Sequence, residues 1–418
     1  MTAVTSAQPA KTAGGVGSLA PYAKEYLGRL RGGEMGALPA VVGLVVLVTV
    51  FSIMRPVFFT AGNFANLFTQ GAQVTIIAMG LVFVLLLGEI DLSAGYTSGV
   101  CAAVLAVLLT HQHWPWYLAV LAALVTGVVI GTGLGLLVAK LAIPSFVVTL
   151  AAFLAFQGVA LILVSGGQII PIRDPTLLAI ANRNVPPALG WALFVVAVGG
   201  YLATLLLRRR NRVRRGLPAE PASLITVRVG ALTVLLGVAV YVLNLERSRN
   251  TLINSLRGMP IVVPLMAVLL VLLTFVLGRT AYGRHIYAVG GNWEAARRAG
   301  INVSWIRVSA FAISSTMAAI GGIVAASRAN SVDPSTGGSD VLLYAVGAAV
   351  IGGTSLFGGK GRVLDAVLGG AVVAVIDNGM GLMGYKADVK FVVTGLVLLL
   401  AAGVDALSRR RAAASGLR

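Results

Sequence analysis

Long apolar runs constrain this chain more than any other feature: twelve segments come close to the length that crosses a bilayer. A spanning helix needs about 20 mostly apolar residues, within roughly 17 to 25. The runs fall at 37–54, 72–88, 92–110, 116–139, 144–164, 190–207, 229–245, 260–278, 308–327, 340–355, 363–382 and 390–407. Gly88-Glu89-Ile90-Asp91 interrupts the stretch 72–110, which reads as two helices with a polar joint. Segment 340–355 is short and ends in Gly352-Gly353, the pattern of a broken helix or of one that enters and leaves on the same side. Hydrophobic residues make up 58% of the chain and charged residues 11%, with a mean hydropathy of +0.92. Soluble domains carry about 25% charged residues and cannot hide so much apolar surface, which excludes a free soluble enzyme. The expected fold is all-α: a polytopic transmembrane helical bundle of about 10–12 membrane segments, broken or re-entrant helices included.

The net charge of +18 must then be explained by where the charges lie. If the N-terminus is cytoplasmic and every segment crosses, 23 of the 32 basic residues fall on the cytoplasmic side. They cluster in a basic loop at 208–228, a loop at 279–308 and the two termini. This is the positive-inside asymmetry, and it places both termini in the cytoplasm. The basic runs flank apolar spans and lack interleaved stacking aromatics, so nucleic acid is not an expected partner; the lipid bilayer is. Residues 1–36 read as a flexible tail, since a cleaved signal peptide would place its apolar stretch nearer the start. The transmembrane domain covers 37–408, and 409–418 forms a basic tail. A single cysteine, Cys101, excludes a disulfide framework and a thiolate metal cluster.

Several motifs have bland explanations. Gly352-Gly353-Thr354-Ser355-Leu356-Phe357-Gly358-Gly359-Lys360-Gly361 superficially resembles a phosphate loop. A Walker A loop needs four residues between its first glycine and the Gly-Lys pair, then Ser or Thr; here both requirements fail, so a glycine-rich surface turn is expected and no ATP site. Gly127, Gly131 and Gly135 stand four apart in one apolar run and form a groove for close helix packing. His111 and His113 lack an evident third metal ligand and sit beside Trp114 and Trp116, as interfacial residues do. No metal, cofactor or catalytic residue is expected.

Two groups of residues invite a function. Glu89 and Asp91 at the joint, with Asp377 and Asn378 near the outer end of another span, are candidates for a substrate path. A carboxylate at the bilayer centre costs about 2.5–3.5 kcal/mol, so it faces protein or water. The assumed topology puts Glu89 and Asp91 near the cytoplasmic surface, where solvation removes that cost; Asp91 can equally serve as a cap for a helix starting at Leu92. The loop 279–308 carries complete helix punctuation: Asn292 as N-cap, Glu294 in the first turn, Arg297 and Arg298 in the last, Gly300 at the stop. So short a helix is unstable alone in water and must dock, on this chain's own surface or in a partner's groove.

From about Asn63 to Asp405 the sequence resembles the inner-membrane permeases of bacterial ATP-binding-cassette sugar importers that handle ribose, xylose and related monosaccharides. Four motifs in order carry the resemblance: Gly88-Glu89-Ile90-Asp91-Leu92-Ser93-Ala94-Gly95; Pro144-Ser145-Phe146-Val147-Val148-Thr149-Leu150; Gly291-Asn292-Trp293-Glu294-Ala295-Ala296 with Gly300-Ile301-Asn302-Val303; and Gly352 to Gly359. Glu89, where ribose-type members often have glycine, and the added spans 190–207 and 229–245 look more like the xylose type. Ala94, Trp293 and Arg298 depart from the pattern. The resemblance implies a permease homodimer in the bacterial cytoplasmic membrane, with cytoplasmic ATP-binding subunits and an extracytoplasmic sugar-binding protein. It places Gly291, Asn292, Glu294, Ala295, Ala296, Arg297, Gly300 and Ile301 in or around the coupling helix that meets the ATPase. The alternative is an ion-coupled secondary sugar transporter, which needs a titratable or cation-binding site near the midplane. The middle thirds of the spans carry almost no ionisable side chains.

Overall fold

Each apolar run becomes a helix because backbone groups in hydrocarbon must find partners within their own segment. The structure, a computed structural model, describes residues 36–164, 167–248 and 255–414. Its helices are α1 (Leu38–Met54), α2 (Ala61–Leu86), α3 (Ala94–Thr110), α4 (Trp116–Lys140), α5 (Ser145–Leu163), α6 (Pro175–Asn182), α7 (Pro187–Arg214) and α8 (Ala222–Asn244). They continue with α9 (Val262–Arg279), α10 (Ala281–Gly291), α11 (Trp293–Arg298), α12 (Val303–Ala329), α13 (Ser339–Ile351), α14 (Val363–Leu382) and α15 (Ala387–Ala414). All twelve sequence-predicted spans hold a helix, and among the described residues eight helices are long and apolar enough to cross a membrane outright. Two tiny antiparallel pairs, β1 (Ile170–Pro171) with β4 (Ser331–Val332) and β2 (Asn184–Val185) with β3 (Met259–Pro260), tie loops together at one end of the bundle.

The core is built around α12, which packs against α4, α2 and α3, while α14 closes the bundle against α2 and α13. The glycine groove of α4 works as its spacing predicts. A Cβ at Gly127, Gly131 or Gly135 would lie within 2.8, 2.4 and 2.6 Å of the α12 backbone at Ser315, Phe311 and Val308. The phenyl ring of Phe311, fully buried, fills the interior beside it. α7 and α8 pack mainly on each other at the periphery.

Three sequence expectations change. The 208–228 segment is mostly helical: α7 runs through the arginine run to Arg214, leaving only 215–221 between it and α8. The tail at 409–418 is helical as far as Ala414, and its last four residues, like 1–35, lie outside the described residues. The joint after α2 is solvated only in part: Gly88 is exposed and Glu89 half-buried, but Asp91 is 1% exposed, within the bundle.

Segment 330–351 is irregular as well, and it meets the first turns of α3. Thr110, at the end of α3, donates its hydroxyl to Pro171 beside β4, so this end of α3 lies with the loop that precedes α13. Gly99 lies about 16 Å deeper along α3, yet a Cβ there would be 2.1 Å from Thr336 O. The 331–338 loop therefore dips into the bundle before α13 begins, and α13 is a broken span of 13 residues. Gly337, at φ +78°, makes the turn against the backbone of Gly95 and Gly99, where there is no room for a side chain.

Candidate functional site

The α10–α11 loop folds as its punctuation dictates. Asn292 Oδ1 accepts from the Ala295 N–H at 2.9 Å, capping α11. At the other end Ile301 N–H donates to Ala296 O at 3.1 Å and Gly300 N–H to Arg297 O at 3.0 Å. This is a Schellman stop, and Gly300 supplies the left-handed residue it needs at φ +85°. Glu294 and Arg298 pair at 2.6 Å in solvent, a contact of little energetic weight. α11 rests on α10 and α12 through Ala296, which is buried. Gly291, Asn292, Glu294, Ala295, Arg297 and Gly300 stay exposed, and Ile301 is half-buried. The helix is thus anchored on one side and presents a polar face on the other.

α10 was not foreseen as a helix. Thr280 caps it through the Gly283 N–H at 3.2 Å, and its far end lies directly on α2: a Cβ at Gly290 would stand 1.8 Å from Leu86 O. Leu86 O also accepts from Gly359 N–H at 2.8 Å, and Tyr287 donates its hydroxyl to Gly361 O at 2.8 Å. The glycine-rich stretch 352–361 is the surface turn that its spacing predicts, pinned against α2 and α10. Burial pushes the Tyr287 phenol above its ordinary range, with the Asp365 carboxylate adding to the rise and Arg362 opposing it.

From this surface a line of contacts enters the bundle. The guanidinium groups of Arg297 and Arg307 stand 5.7 and 6.0 Å from the centroid of the Trp293 ring, within cation–π range. Arg307 Nε lies 3.0 Å from Glu89 Oε1, an ion contact without hydrogen-bond alignment. Two residues on, Asp91 Oδ1 accepts from Ser93 N–H at 3.0 Å and from Ser93 Oγ at 2.6 Å, while Oδ2 accepts from Ser314 Oγ at 2.9 Å. The expected cap is not made: the helix begins at Ala94 rather than Leu92, its N-cap residue is Ser93 with no side-chain cap bond, and Asp91 forms an Asx turn onto Ser93 just before it. Ser314 sits about 16 Å along α12 from Val303, so these bonds take the place of water well inside the protein.

Toward the opposite end, α2, α12 and the 331–338 loop enclose a cavity of about 420 Å³ lined by Thr69, Gln70, Gln73, Arg328, Ser335 and Thr336. Gln70 Nε2 donates to Asp377, and Gln70 Oε1 accepts from Asn378 Nδ2 at 3.1 Å. Asn378 and Asn63 exchange two amide bonds of 2.9 Å, and Lys390 Nζ donates to Asp377 at 2.9 Å. Gln73 Nε2 is buried without a hydrogen-bond partner. Val324 and Val341 add apolar wall beside these amides, hydroxyls and the one guanidinium, a mixed lining that can hydrogen-bond a small polar solute.

The four sequence candidates for a substrate path thus divide. Asp377 and Asn378 belong to the network beside the cavity; Asp91 has both oxygens engaged in mid-bundle, and Glu89 is ion-paired at the α11 end. Gln70, Gln73 and Arg328 escaped sequence analysis. Gln70 lies just outside the apolar run 72–88, and two glutamines three apart at a span's edge are the signal that points to it. Arg328, in the last turn of α12, lies just beyond the apolar run 308–327 and carries no local signal of a site.

The chain is 38% identical to the xylose transport system permease protein of Escherichia coli K12 over 85% of this chain and 87% of that protein. It is 32% identical to the corresponding Haemophilus influenzae protein, over 88% and 96%, and 28% identical to the E. coli K12 ribose import permease, over 88% and 92%. No solved structure matches it. Residues 63–402 match the family described as branched-chain amino acid transport system / permease component. A many-helix bundle with a docked surface helix at one end and a polar cavity toward the other is thus carried by a sequence that belongs to that permease family.

Proposed function

We propose that this chain is the membrane-spanning subunit of an ATP-binding-cassette importer that carries a monosaccharide, D-xylose or a related pentose, into the cell. The observation that carries this reading is the 38% identity to a xylose permease across 85% of the chain. The family takes its description from amino-acid systems, but the sugar permeases are matched nearly end to end, and the amides and hydroxyls beside Arg328 in the cavity offer the hydrogen bonds that sugar hydroxyls use. Separate ATP-binding subunits dock on the exposed face of α11, a second copy completes a homodimer, and an extracytoplasmic binding protein delivers the sugar. The α11 end faces the cytoplasm with both termini, as the positive-inside asymmetry requires. Movement of α11 reaches the joint through Trp293, Arg307 and Glu89. The path runs from the cavity beside Asp377 and Asn378 toward that joint.

Vesicles holding the permease, its ATPase and its binding protein should accumulate xylose only when ATP is present on the ATPase side. Gly300→Val, which puts a β-branched residue into the left-handed stop, should leave insertion and dimerisation intact and abolish uptake and sugar-stimulated hydrolysis. Uptake driven by a proton or sodium gradient without the ATPase would overturn the assignment. Unchanged hydrolysis in Gly300→Val would remove α11 from the coupling role.

A further inference from the structure

α7 and α8 form a splayed pair. Toward one end they touch: a Cβ at Gly190 would meet the Asn244 side chain at 3.6 Å, and one at Gly237 would meet the Phe194 ring at 3.7 Å. Toward the arginine-rich end they part, and a Cβ at Gly230 would meet nothing within 4 Å. The gap is a groove of about 510 Å³ with apolar walls from Leu202, Leu206, Ile225 and Val229 and with Arg209 at its mouth. Arg212, three residues further along α7, shares the Arg209 face. The arginine run 208–215 holds six arginines. Among the described residues the one nearby ion pair joins Arg228 to Glu220 at 3.0 Å and leaves the run uncompensated.

An apolar slot that opens at a membrane surface under a cluster of guanidinium groups without carboxylate partners, Arg212 donating one long bond of 3.5 Å to Pro218 O, has the two halves of a phospholipid's chemistry, and the charge selects its sign. We propose that this groove binds an anionic phospholipid, with an acyl chain between α7 and α8 and the phosphate on Arg209 and Arg212. Thr226 and Thr233 return their hydroxyls to the backbone oxygens of Ala222 and Val229, so neither leaves a free donor along the acyl slot. The site lies on the added helix pair, shares no lining residue with the polar cavity, and rests only on the chain's spanning a bilayer.

The test uses the full-length protein, stripped of native lipid in detergent and titrated with phosphatidylglycerol or phosphatidylcholine, with bound lipid counted by native mass spectrometry. Phosphatidylglycerol should bind roughly tenfold more tightly than phosphatidylcholine. Arg209→Gln with Arg212→Gln should erase that preference. Gly230→Leu, placed in open space, should fill the slot and lower phosphatidylglycerol occupancy while the arginines remain. Equal binding of the two lipids by the unaltered protein, an undiminished preference in the double variant, or unchanged occupancy in Gly230→Leu would each overturn the proposal.

Discussion

The central helices α2, α12 and α14 bury 78%, 67% and 72% of their most apolar stretch, whereas α7 and α8, of comparable length, bury 11% each. Apolarity brings both groups into the bilayer but does not decide which of them pack, because lipid chains solvate leucine as well as another helix does. The central helices are distinguished by small residues placed for close approach. A Cβ at Gly80 would stand 2.6 Å from the Met317 Cβ, and one at Gly322 would stand 2.1 Å from Ser98 O. In the peripheral pair, Gly199 and Gly200 have nothing within 4 Å. The centre also holds the polar bonds, from Asp91 to Ser314 and from Asn63 to Asn378, that fix the broken elements in register. The periphery is fastened mainly by its own helix-to-helix contact and is the more adaptable part.

The sharpest way to break this contrast is one substitution made in both regions. Gly322→Leu must displace the α3 backbone, which exceeds the about 1–3 kcal/mol of ordinary overpacking, and should eliminate monodisperse protein on size-exclusion chromatography. Gly199→Leu should leave the elution profile and thermal midpoint unchanged. Equal damage from both would erase the distinction between core and periphery.

A smaller effect is expected at the joint. Asp91→Ala leaves the hydroxyls of Ser93 and Ser314 without their acceptor in a buried site, at a cost of about 1–3 kcal/mol for each unpaired group. Asp91→Asn keeps an acceptor oxygen and should cost less. Thermal unfolding in detergent should rank them wild type, Asn, Ala; if Ala matched wild type, the joint would not depend on its buried carboxylate.

The smallest effect belongs to the loop after α8. Glu246 accepts from Ser255 Oγ at 2.7 Å, from the N–H groups of Leu256 and Ser248 at 2.9 and 3.0 Å, and from Arg257 Nε at 3.0 Å. These donors, the Ser255 hydroxyl foremost, lower its pKa from 4.5 to about 2. A depressed carboxylate stabilises the folded loop above its unfolded pKa and loses that contribution as pH falls through the folded value. Amide hydrogen exchange at residues 255–258, corrected for its intrinsic pH dependence, should therefore lose protection between about pH 4.5 and pH 2 while the α2 and α12 amides keep theirs. Glu246→Gln should remove that pH dependence.

The candidate site was legible where its geometry is local. Asn292, Glu294 and Gly300 lie within one short helix, and capping chemistry is written in residues three to six apart. The glycine groove of α4 was legible for the same reason, since its spacing matches a helical turn. The depth of Asp91 was not. It depends on a hydroxyl from Ser314, which is distant in sequence, and alternation of spans says which end a joint belongs to but not how far it dips. Arg307 and Glu89, or Gln73 and Thr336, come together only once the helices are assembled.

The sequence by itself determined that this chain crosses a membrane many times and that a capped helix stands between α10 and α12, because hydropathy and capping act along the chain. Only the tertiary structure decided which spans form the core, how α3 and α13 begin inside the bundle, and which polar residues share a cavity. Close approach of backbones and the pairing of buried polar groups arise between segments, and the cost of leaving either unmade is set by neighbours that the linear order does not name.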